Sequence, residues 1–108
     1  MKDDQRNHKG SISEKAAIVW LMKNKFSVFE NTSIKGPIDL VAMRDGETIL
    51  IDVKSKEPYR KVNGTYSVSE TKLKTPQVKL GVKALYVLPD GSCFWSAVDA
   101  EQYLNRPV

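Results

Sequence analysis

The sequence predicts a single α/β domain in which a mixed β-sheet is flanked by helices, with the element order αβββαββ(α). Two patterns predict this order. Near the N-terminus an apolar helical segment precedes three strand-like segments, and in the second half a short helix precedes two further strands and a helical turn. The chain has 108 residues, of which 41% are hydrophobic. This is enough for one core and leaves no room for a second domain.

The N-terminal segment is predicted to contain a tail and the first helix. Residues 1–10 are polar and aperiodic, which predicts a flexible N-terminus ahead of a domain over residues 11–108. Ser11 and Glu14 have the spacing of a capping box, in which two side chains bind the free backbone N–H groups at the start of a helix. We therefore expect a largely buried helix from Ser11 to about Lys25.

Three strands are predicted to follow this helix, over residues 26–31, 38–43 and 48–54. Gly36-Pro37 separates the first two strands, because proline cannot donate a hydrogen bond to a central ladder. Asp45-Gly46 supplies the positive φ angles that a tight hairpin turn needs between the second and third strands. The third strand is apolar on both faces, so we expect it at the centre of the sheet.

The remaining segments complete the predicted fold. Residues 55–69 are expected to form a loop or a ragged hairpin, and Pro76 marks the first turn of a short helix over residues 75–80. A second hairpin and a closing helical turn are predicted over residues 83–88, 93–97 and 99–104. Several aromatic side chains and the thiol are assigned to the core rather than to base stacking or nucleophilic chemistry: Trp20, Phe26, Trp95 and Cys93.

Composition excludes several classes of protein. Cys93 is the single cysteine, so the chain can form no internal disulfide and no cysteine zinc cluster. Residues 16–22 are the longest apolar run, too short for a membrane span, and residues 1–10 lack the apolar core of a signal peptide. We expect an intracellular, cytoplasmic protein that does not bind membranes. The only histidine, His8, lies in the polar tail, which gives little support to histidine acid-base catalysis.

Positive charge is concentrated in the middle of the chain. Residues 54–83, here called the basic segment, hold eight lysines and arginines against two acidic residues, whereas the rest of the chain holds nine against eleven. Tyr59 and Tyr66 lie within the basic segment. This pattern fits either a solvated loop or a surface that binds a polyanion such as nucleic acid.

The strongest chemical signal is a group of charged residues near the ends of two predicted strands. Asp52 and Lys54 share one face of the third strand, since side chains alternate along a strand. Asp39 lies as far from the Asp45-Gly46 turn as Asp52 does, so the two aspartates are predicted cross-strand neighbours. Two carboxylates and one ammonium at one end of a hairpin describe a site for a hard cation such as Mg²⁺. The simpler interpretations are an Asp52–Lys54 ion pair, a turn residue at Asp39 and a capping residue at Glu14.

These residues resemble a known family. Glu14, the run from Gly36 to Ala42 and the run from Ile51 to Lys54 are similar to motifs of the PD-(D/E)xK nuclease superfamily. The likeness is strongest to its small branch of archaeal Holliday junction resolvases and PD-(D/E)xK intron-homing endonucleases. Intervals of 25, 13 and 2 residues, similar to those of that branch, separate the four motif residues Glu14, Asp39, Asp52 and Lys54. One departure is that Ile38 separates the proline from the aspartate of the second motif.

The resemblance implies a restriction-endonuclease-like fold and metal-dependent cleavage of DNA. It implies that Asp39, Asp52 and the backbone carbonyl of Val53 bind Mg²⁺, for which Mn²⁺ can substitute. Lys54 would orient or activate the attacking water. Glu14 would bind the metal directly or through a water molecule.

The function implied is that of an endodeoxyribonuclease, structure-selective in the manner of a Holliday junction resolvase. Gln77 would reach the scissile phosphate, unless it is a plain helix cap. The DNA backbone would contact the basic segment at Lys56, Arg60, Lys61, Lys72, Lys74 and Lys79. Selectivity would come from DNA shape, or from a homodimer or higher homo-oligomer that presents two sites. The alternatives are a nucleic-acid-binding module that keeps this fold without cleaving, and a protein-interaction subunit, which the uneven charge disfavours.

Overall fold

A five-stranded mixed sheet organises the protein in the computed structural model, which describes residues 2–33 and 36–107. The predicted α/β class and the predicted element order are confirmed. The elements in chain order are α1 (Lys2–Lys23), β1 (Ser27–Glu30), β2 (Leu40–Arg44), β3 (Glu47–Ser55), β4 (Tyr59–Arg60), β5 (Tyr66–Ser67), α2 (Thr75–Leu80), β6 (Lys83–Val87), β7 (Cys93–Phe94) and α3 (Ala97–Leu104).

The large sheet has the strand order β1-β2-β3-β6-β7, with β3 at its centre as predicted. All neighbouring pairs are antiparallel except β3 and β6, which run parallel. The turn between β2 and β3 is the predicted one, with Asp45 at φ 50° and Gly46 at φ 80°. This turn fixes the register of the hairpin, in which Leu40 pairs with Ile51.

The two faces of the sheet are covered by different layers. On one face Ala17 and Leu21 of α1 pack against Leu40, Ile51 and Leu85, all of them fully buried. Each of the leucine and isoleucine side chains contributes roughly 2 kcal/mol by its burial. Side chains alternate along β6, so the opposite face carries a second cluster that includes α3: Val68, Tyr86, Leu88, Ala97 and Ala100. The end of β3 therefore lies between two packed layers that hold its backbone in place.

The aromatic and thiol side chains lie in the core, as predicted. The rings of Trp20 and Trp95 meet edge to face with centroids 5.7 Å apart. Both are partly buried and pack against the core cluster that contains Ala17 and Leu21 of α1. Phe26 is buried in the same cluster. Cys93 is buried too, and burial raises the pKa of its thiol to about 12. A thiol with so high a pKa is a poor nucleophile at neutral pH.

In the second half of the chain, the end of β7 and the start of α3 differ from the prediction, whereas the hairpin before α2 agrees with it. The strand expected over residues 93–97 ends at Phe94, because Ser96 accepts a hydrogen bond from the Asp99 N–H and caps α3, which then begins at Ala97. The ragged hairpin expected over residues 55–69 is present as β4 and β5, which form a separate two-stranded sheet.

The predicted start of the first helix at Ser11 is wrong. The helix begins at Lys2, so Ser11 and Glu14 lie inside α1 and do not form a capping box. The S-x-x-E pattern is local, and it misleads here because the preceding residues, though polar, include good helix formers such as lysine, glutamine and arginine. The flexibility expected of residues 1–10 stays a prediction. No helix in the described part of the chain is long and apolar enough to cross a membrane.

The position of Ser11 inside α1 can be tested by substitution. Ser11→Ala should change the free energy of unfolding by less than about 0.5 kcal/mol, because an exposed serine inside a helix has no capping role and alanine has the higher helix propensity. Urea unfolding of both proteins measures this. A loss of about 1 kcal/mol would instead indicate a helix that starts at Ser11.

Candidate active site

Two aspartates meet where β2 begins and β3 approaches its end. Asp39 immediately precedes β2, and its N–H donates a 2.8 Å hydrogen bond to the Ile51 carbonyl. Since Leu40 pairs with Ile51, the same register puts Asp39 opposite Asp52. The structure therefore brings the two carboxylates together as the count from the Asp45-Gly46 turn predicts.

The carboxylate of Asp39 is fixed by the backbone of the neighbouring strand. The Val53 N–H donates to Asp39 Oδ2 at 2.7 Å, so the side chain occupies the position where a β2 carbonyl would continue the ladder. The pKa of Asp39 is raised to about 6, and burial is the largest cause, against the lowering effect of the Val53 N–H. A hydrogen bond with Asp52, the charge of Asp52 and the charge of Glu14 also contribute to this raised value.

Asp52 is the more deeply buried carboxylate, with 7% of the residue exposed. Its Oδ2 accepts no hydrogen bond within the described part of the chain, although Lys54 Nζ lies 3.3 Å away as an ion-pair partner. Burying a carboxylate oxygen without a hydrogen-bond donor is unfavourable unless another positive group faces it. In the described part of the chain, Lys54 is therefore the positive group that faces Asp52 Oδ2, without a hydrogen bond to it.

Two lysines lie beside the aspartates on the same face of β3. The Lys54 side chain is 41% exposed, so its ammonium reaches solvent as well as Asp52. Lys56 is the next residue on this face, and its Nζ lies 5.2 Å from the ring centre of Tyr86 and 3.4 Å from Ser69 Oγ. Burial, together with the charge of Lys54, lowers the pKa of Lys56. A second positive charge thus lies close enough to Lys54 to affect its surroundings.

Gln77 holds the chain segment that leads into Asp39. Its Nε2 donates to the Pro37 carbonyl at 3.1 Å, and its Oε1 accepts from the Lys74 N–H at 2.9 Å. Both ends of this buried amide are therefore bonded to backbone, which agrees with the helix-cap interpretation and adds a tether between α2 and the start of β2. The contact with a scissile phosphate stays a prediction.

Asn31 holds the same segment from the β1 side, and sequence reasoning missed it. Its Nδ2 donates to the Ile38 carbonyl at 2.8 Å, while its N–H donates to the Asp39 carbonyl at 3.0 Å. An exposed asparagine after a strand usually signals a turn. The only available signal was therefore ambiguous, since the partners of Asn31 lie seven and eight residues further along the chain.

Glu14 lies near this pair without joining it. The preceding residue, Ser13, hydrogen-bonds through its hydroxyl to the hydroxyl of Ser55, which ties α1 to the end of β3. Burial raises the pKa of Glu14, and the charge of Glu30 at the end of β1 raises it further. Sequence reasoning did not single out Glu30. In the described part of the chain, no three histidine, cysteine, aspartate or glutamate side chains are gathered closely enough to hold a metal ion.

The predicted DNA-contacting residues lie on three elements around the site. Arg60 and Lys61 belong to or follow β4, Lys72 and Lys74 lie in the extended segment before α2, and Lys79 is in α2. All five are exposed, whereas Lys56 is half-buried. The extended segment is held against the sheet by a 2.9 Å hydrogen bond from the Thr71 N–H to the Tyr86 hydroxyl. Since Tyr86 pairs with Lys54 across β3 and β6, this part of the basic segment lies beside the site.

The described fold is similar to a solved structure, that of the bacterial homing endonuclease I-Ssp6803I. The two align with a TM-score of 0.57 and 21% sequence identity over 86% of this chain. This chain spans 65% of the length of that one. No family model matches the sequence, and no curated protein matches it. The protein therefore has a nuclease-like fold.

The raised pKa of Asp39 predicts how stability changes with pH. The folded-state pKa of about 6 lies above the ordinary value of 3.8, so proton binding favours the folded state. That contribution is complete below about pH 4 and is lost as the pH rises through about 6. Asp39→Asn keeps an acceptor for the Val53 N–H, so we expect it to be more stable than the natural protein at pH 7.5 by about 1 kcal/mol, allowing for solvent screening.

Urea unfolding of both proteins between pH 4 and pH 8, without divalent cations, measures this difference. The two stabilities should converge towards pH 4, where Asp39 is largely protonated. A variant that is less stable than the natural protein at pH 7.5 would contradict the raised pKa.

Proposed function

We propose that the protein is a metal-dependent endodeoxyribonuclease whose active site is the Asp39–Asp52 pair with Lys54. One observation carries the proposal. Two carboxylates are held side by side by the register of the hairpin, and a buried oxygen of one of them lacks a hydrogen-bond donor beside a partly exposed lysine. The similarity to a homing endonuclease fold supports a DNA substrate.

The residues at this site fit a hard divalent cation such as Mg²⁺, with Mn²⁺ as a substitute. The ligand oxygens would be Asp52 Oδ2, a carboxylate oxygen of Asp39 and the Val53 carbonyl. In a β-strand, the N–H and the C=O of one residue point to the same side. The Val53 N–H points to Asp39, so the Val53 carbonyl also points to the β2 side of β3, beyond the residue at which β2 begins. A cation there offsets the repulsion that raises the pKa of Asp39. When bound, it supplies Lewis-acid stabilisation of phosphate oxygens and lowers the pKa of water.

Lys54 is the residue best suited to hold the attacking water or a phosphate oxygen. Its ammonium has three donors, and Asp52 Oδ2, an ion-pair partner 3.3 Å away, can engage at most one of them. The remaining donors are available on the open side, because the side chain is partly exposed. In phosphodiester hydrolysis negative charge grows on the non-bridging oxygens, and a fixed ammonium close to them stabilises that charge.

Glu14 and Gln77 are given supporting roles because neither side chain belongs to the carboxylate pair. The charge of Glu14 on α1 raises the pKa of Asp39, but Glu14 forms no three-carboxylate cluster with the pair, which supports a contact with the metal through water rather than direct ligation. Gln77 is proposed as a positioning residue, since its amide connects α2 with the segment that carries Asp39. Lys56 and the exposed lysines and arginine of the basic segment would contact the DNA backbone on either side of the scissile phosphate.

We further propose that the protein acts as a homodimer and cleaves branched DNA selectively. The described domain has one candidate site, whereas resolving a junction or breaking both strands of a duplex takes two cuts. A second copy of the chain related by a two-fold axis supplies the second site. DNA shape would then contribute to selectivity through the spacing of the two sites.

A second candidate is a nucleic-acid-binding module that does not cleave. The observation that favours it is the lack of a three-carboxylate cluster among the described residues, since many catalytic metal sites use three protein ligands. The two functions differ in what the aspartates do. A binder gains affinity for phosphate when a carboxylate is removed, and it has no cleavage to lose.

Asp52→Asn tests the metal site directly. We expect Mg²⁺-dependent cleavage of plasmid and branched DNA to fall by about a hundredfold or more, because a charged ligand becomes neutral at nearly unchanged size. The rise in melting temperature that Mg²⁺ causes in the natural protein should disappear as well. The matched control is Asp45→Asn, the same change in the turn at the other end of the hairpin, where asparagine tolerates the positive φ. Cleavage retained in Asp52→Asn would overturn the assignment.

Substitutions of lysine separate catalysis from binding. Lys54→Ala should reduce the rate of cleavage by about a hundredfold with little change in affinity, because its ammonium acts at the reacting phosphate. Lys72→Ala and Lys74→Ala should instead weaken DNA binding and reduce the slope of log affinity against log salt by about 0.9 each. Titrations at several salt concentrations measure both effects. Unchanged salt slopes in both of the latter variants would show that this part of the basic segment is a solvated loop.

A further inference from the structure

β4, β5 and the turn between them form a short arm, here called the β-ribbon and covering residues 59–67. It is a sheet of its own, apart from the five-stranded one. The turn is closed by two backbone hydrogen bonds, from the Lys61 N–H to the Thr65 carbonyl at 2.8 Å and from the Gly64 N–H to the Lys61 carbonyl at 2.9 Å. Asn63 Oδ1 adds further bonds by accepting from the N–H and the hydroxyl of Thr65. The tip is therefore structured rather than a loose loop.

The base of the β-ribbon is fixed to the domain through α3. Asn105, which follows α3, accepts from the Tyr66 N–H at 2.8 Å and donates to the Tyr66 carbonyl at 2.9 Å. Glu101 accepts from the Ser67 hydroxyl at 2.6 Å, and the following residue, Val68, is buried. An arm fixed in this way loses little conformational freedom when it binds a partner.

The β-ribbon exposes apolar and positively charged side chains together. Val62 at the tip is completely exposed, at 109% of its reference area. Tyr59 and Tyr66 are also exposed large side chains. Arg60 and Lys61 add two positive charges, and residues 58–69 contain no acidic residue. The β-ribbon therefore presents an apolar tip next to two cations.

We infer that the β-ribbon enters the major groove of the DNA, with Val62 against the base edges and Arg60 and Lys61 on the phosphates. The inference rests on the proposed nuclease function. The major groove is about 12 Å wide and admits a two-stranded β-ribbon. An apolar side chain in that groove contacts the 5-methyl group of thymine, a feature that only the major groove presents. Arg60 and Lys61, which directly precede Val62, fit the phosphates that border the groove.

The chain length between the site and the tip sets which bases are read. Eight residues separate Lys54 from Val62, so the two Cα atoms lie within about 27 Å of each other at roughly 3.4 Å per residue. Base pairs are stacked about 3.4 Å apart along the DNA axis. The bases that Val62 contacts therefore lie within about eight base pairs of the scissile phosphate. Val62 becomes a specificity-determining residue for the proposed cleavage.

Two substitutions of Val62 in the full chain test this inference. Val62→Asp should weaken binding to a random-sequence duplex, measured in EDTA so that no cleavage occurs, by about tenfold. The matched control is Val19→Asp, the same change at a half-exposed valine of α1. The helix α1 covers the face of the sheet opposite to α3, which holds the β-ribbon, so this variant should bind like the natural protein. Val62→Ser should alter the base preference of cleavage in a randomised duplex library, within about eight base pairs of the cut.

The outcomes separate the β-ribbon from the nuclease activity. Equal affinity of Val62→Asp and Val19→Asp would overturn the β-ribbon inference, and so would a base preference unchanged in Val62→Ser when the natural protein cleaves. If the natural protein binds DNA without cleaving it, a tenfold loss confined to Val62→Asp supports the β-ribbon and overturns the proposed nuclease. If the natural protein neither binds nor cleaves DNA, both proposals fail.

Discussion

The hydrogen bond from the Val53 N–H to the Asp39 carboxylate is the interaction on which the rest of the site depends. It holds the carboxylates of Asp39 and Asp52 together near the start of β2 and the end of β3, where partial burial strengthens the repulsion between them. Left alone, such a pair destabilises the fold, since each unit of raised pKa reflects a cost of about 1.4 kcal/mol before solvent screening. A protein that keeps this arrangement needs a proton or a cation between the two groups.

The surroundings of the pair are arranged to hold it despite that repulsion. Gln77 and Asn31 bind the backbone of the segment before β2 from two sides, so Asp39 cannot swing away from β3. Lys54 contacts Asp52 but reaches solvent, and Lys56 lies behind it against Tyr86. The result is a surface at the ends of β2 and β3 with held carboxylate oxygens next to ammonium groups. Under the proposed function, a bound divalent cation would let this surface accept a phosphate diester.

Local rules predicted the parts of the fold and site that depend on neighbouring residues. The Asp45-Gly46 turn set the hairpin register, which was enough to pair Asp39 with Asp52. Pro76 marked the first turn of α2, whose predicted bounds are correct, and the structure places Gly81, with φ 74°, after its end. The start of α1 was missed, because a capping pattern cannot tell whether the helix continues before it.

Contacts between distant residues could not be predicted in the same way. The tether from Gln77 to Pro37 spans 40 residues, and the bond between Tyr66 and Asn105 spans 39. Neither residue type signals its partner, since glutamine and asparagine amides bind backbone groups almost anywhere. The effect of the Glu30 charge on the pKa of Glu14 likewise depends on how α1 packs against the sheet.

The most direct test of the proposed metal site is a carboxyl-carbon NMR titration of Asp39 with and without Mg²⁺. We expect a midpoint near pH 6 without metal, from the pKa of about 6, and a clearly lower midpoint with Mg²⁺, because the cation and the proton compete for the same oxygens. Asp52→Asn should lose most of the Mg²⁺ effect. A midpoint that Mg²⁺ does not move in the natural protein would contradict the claim that this pair of carboxylates is a metal site.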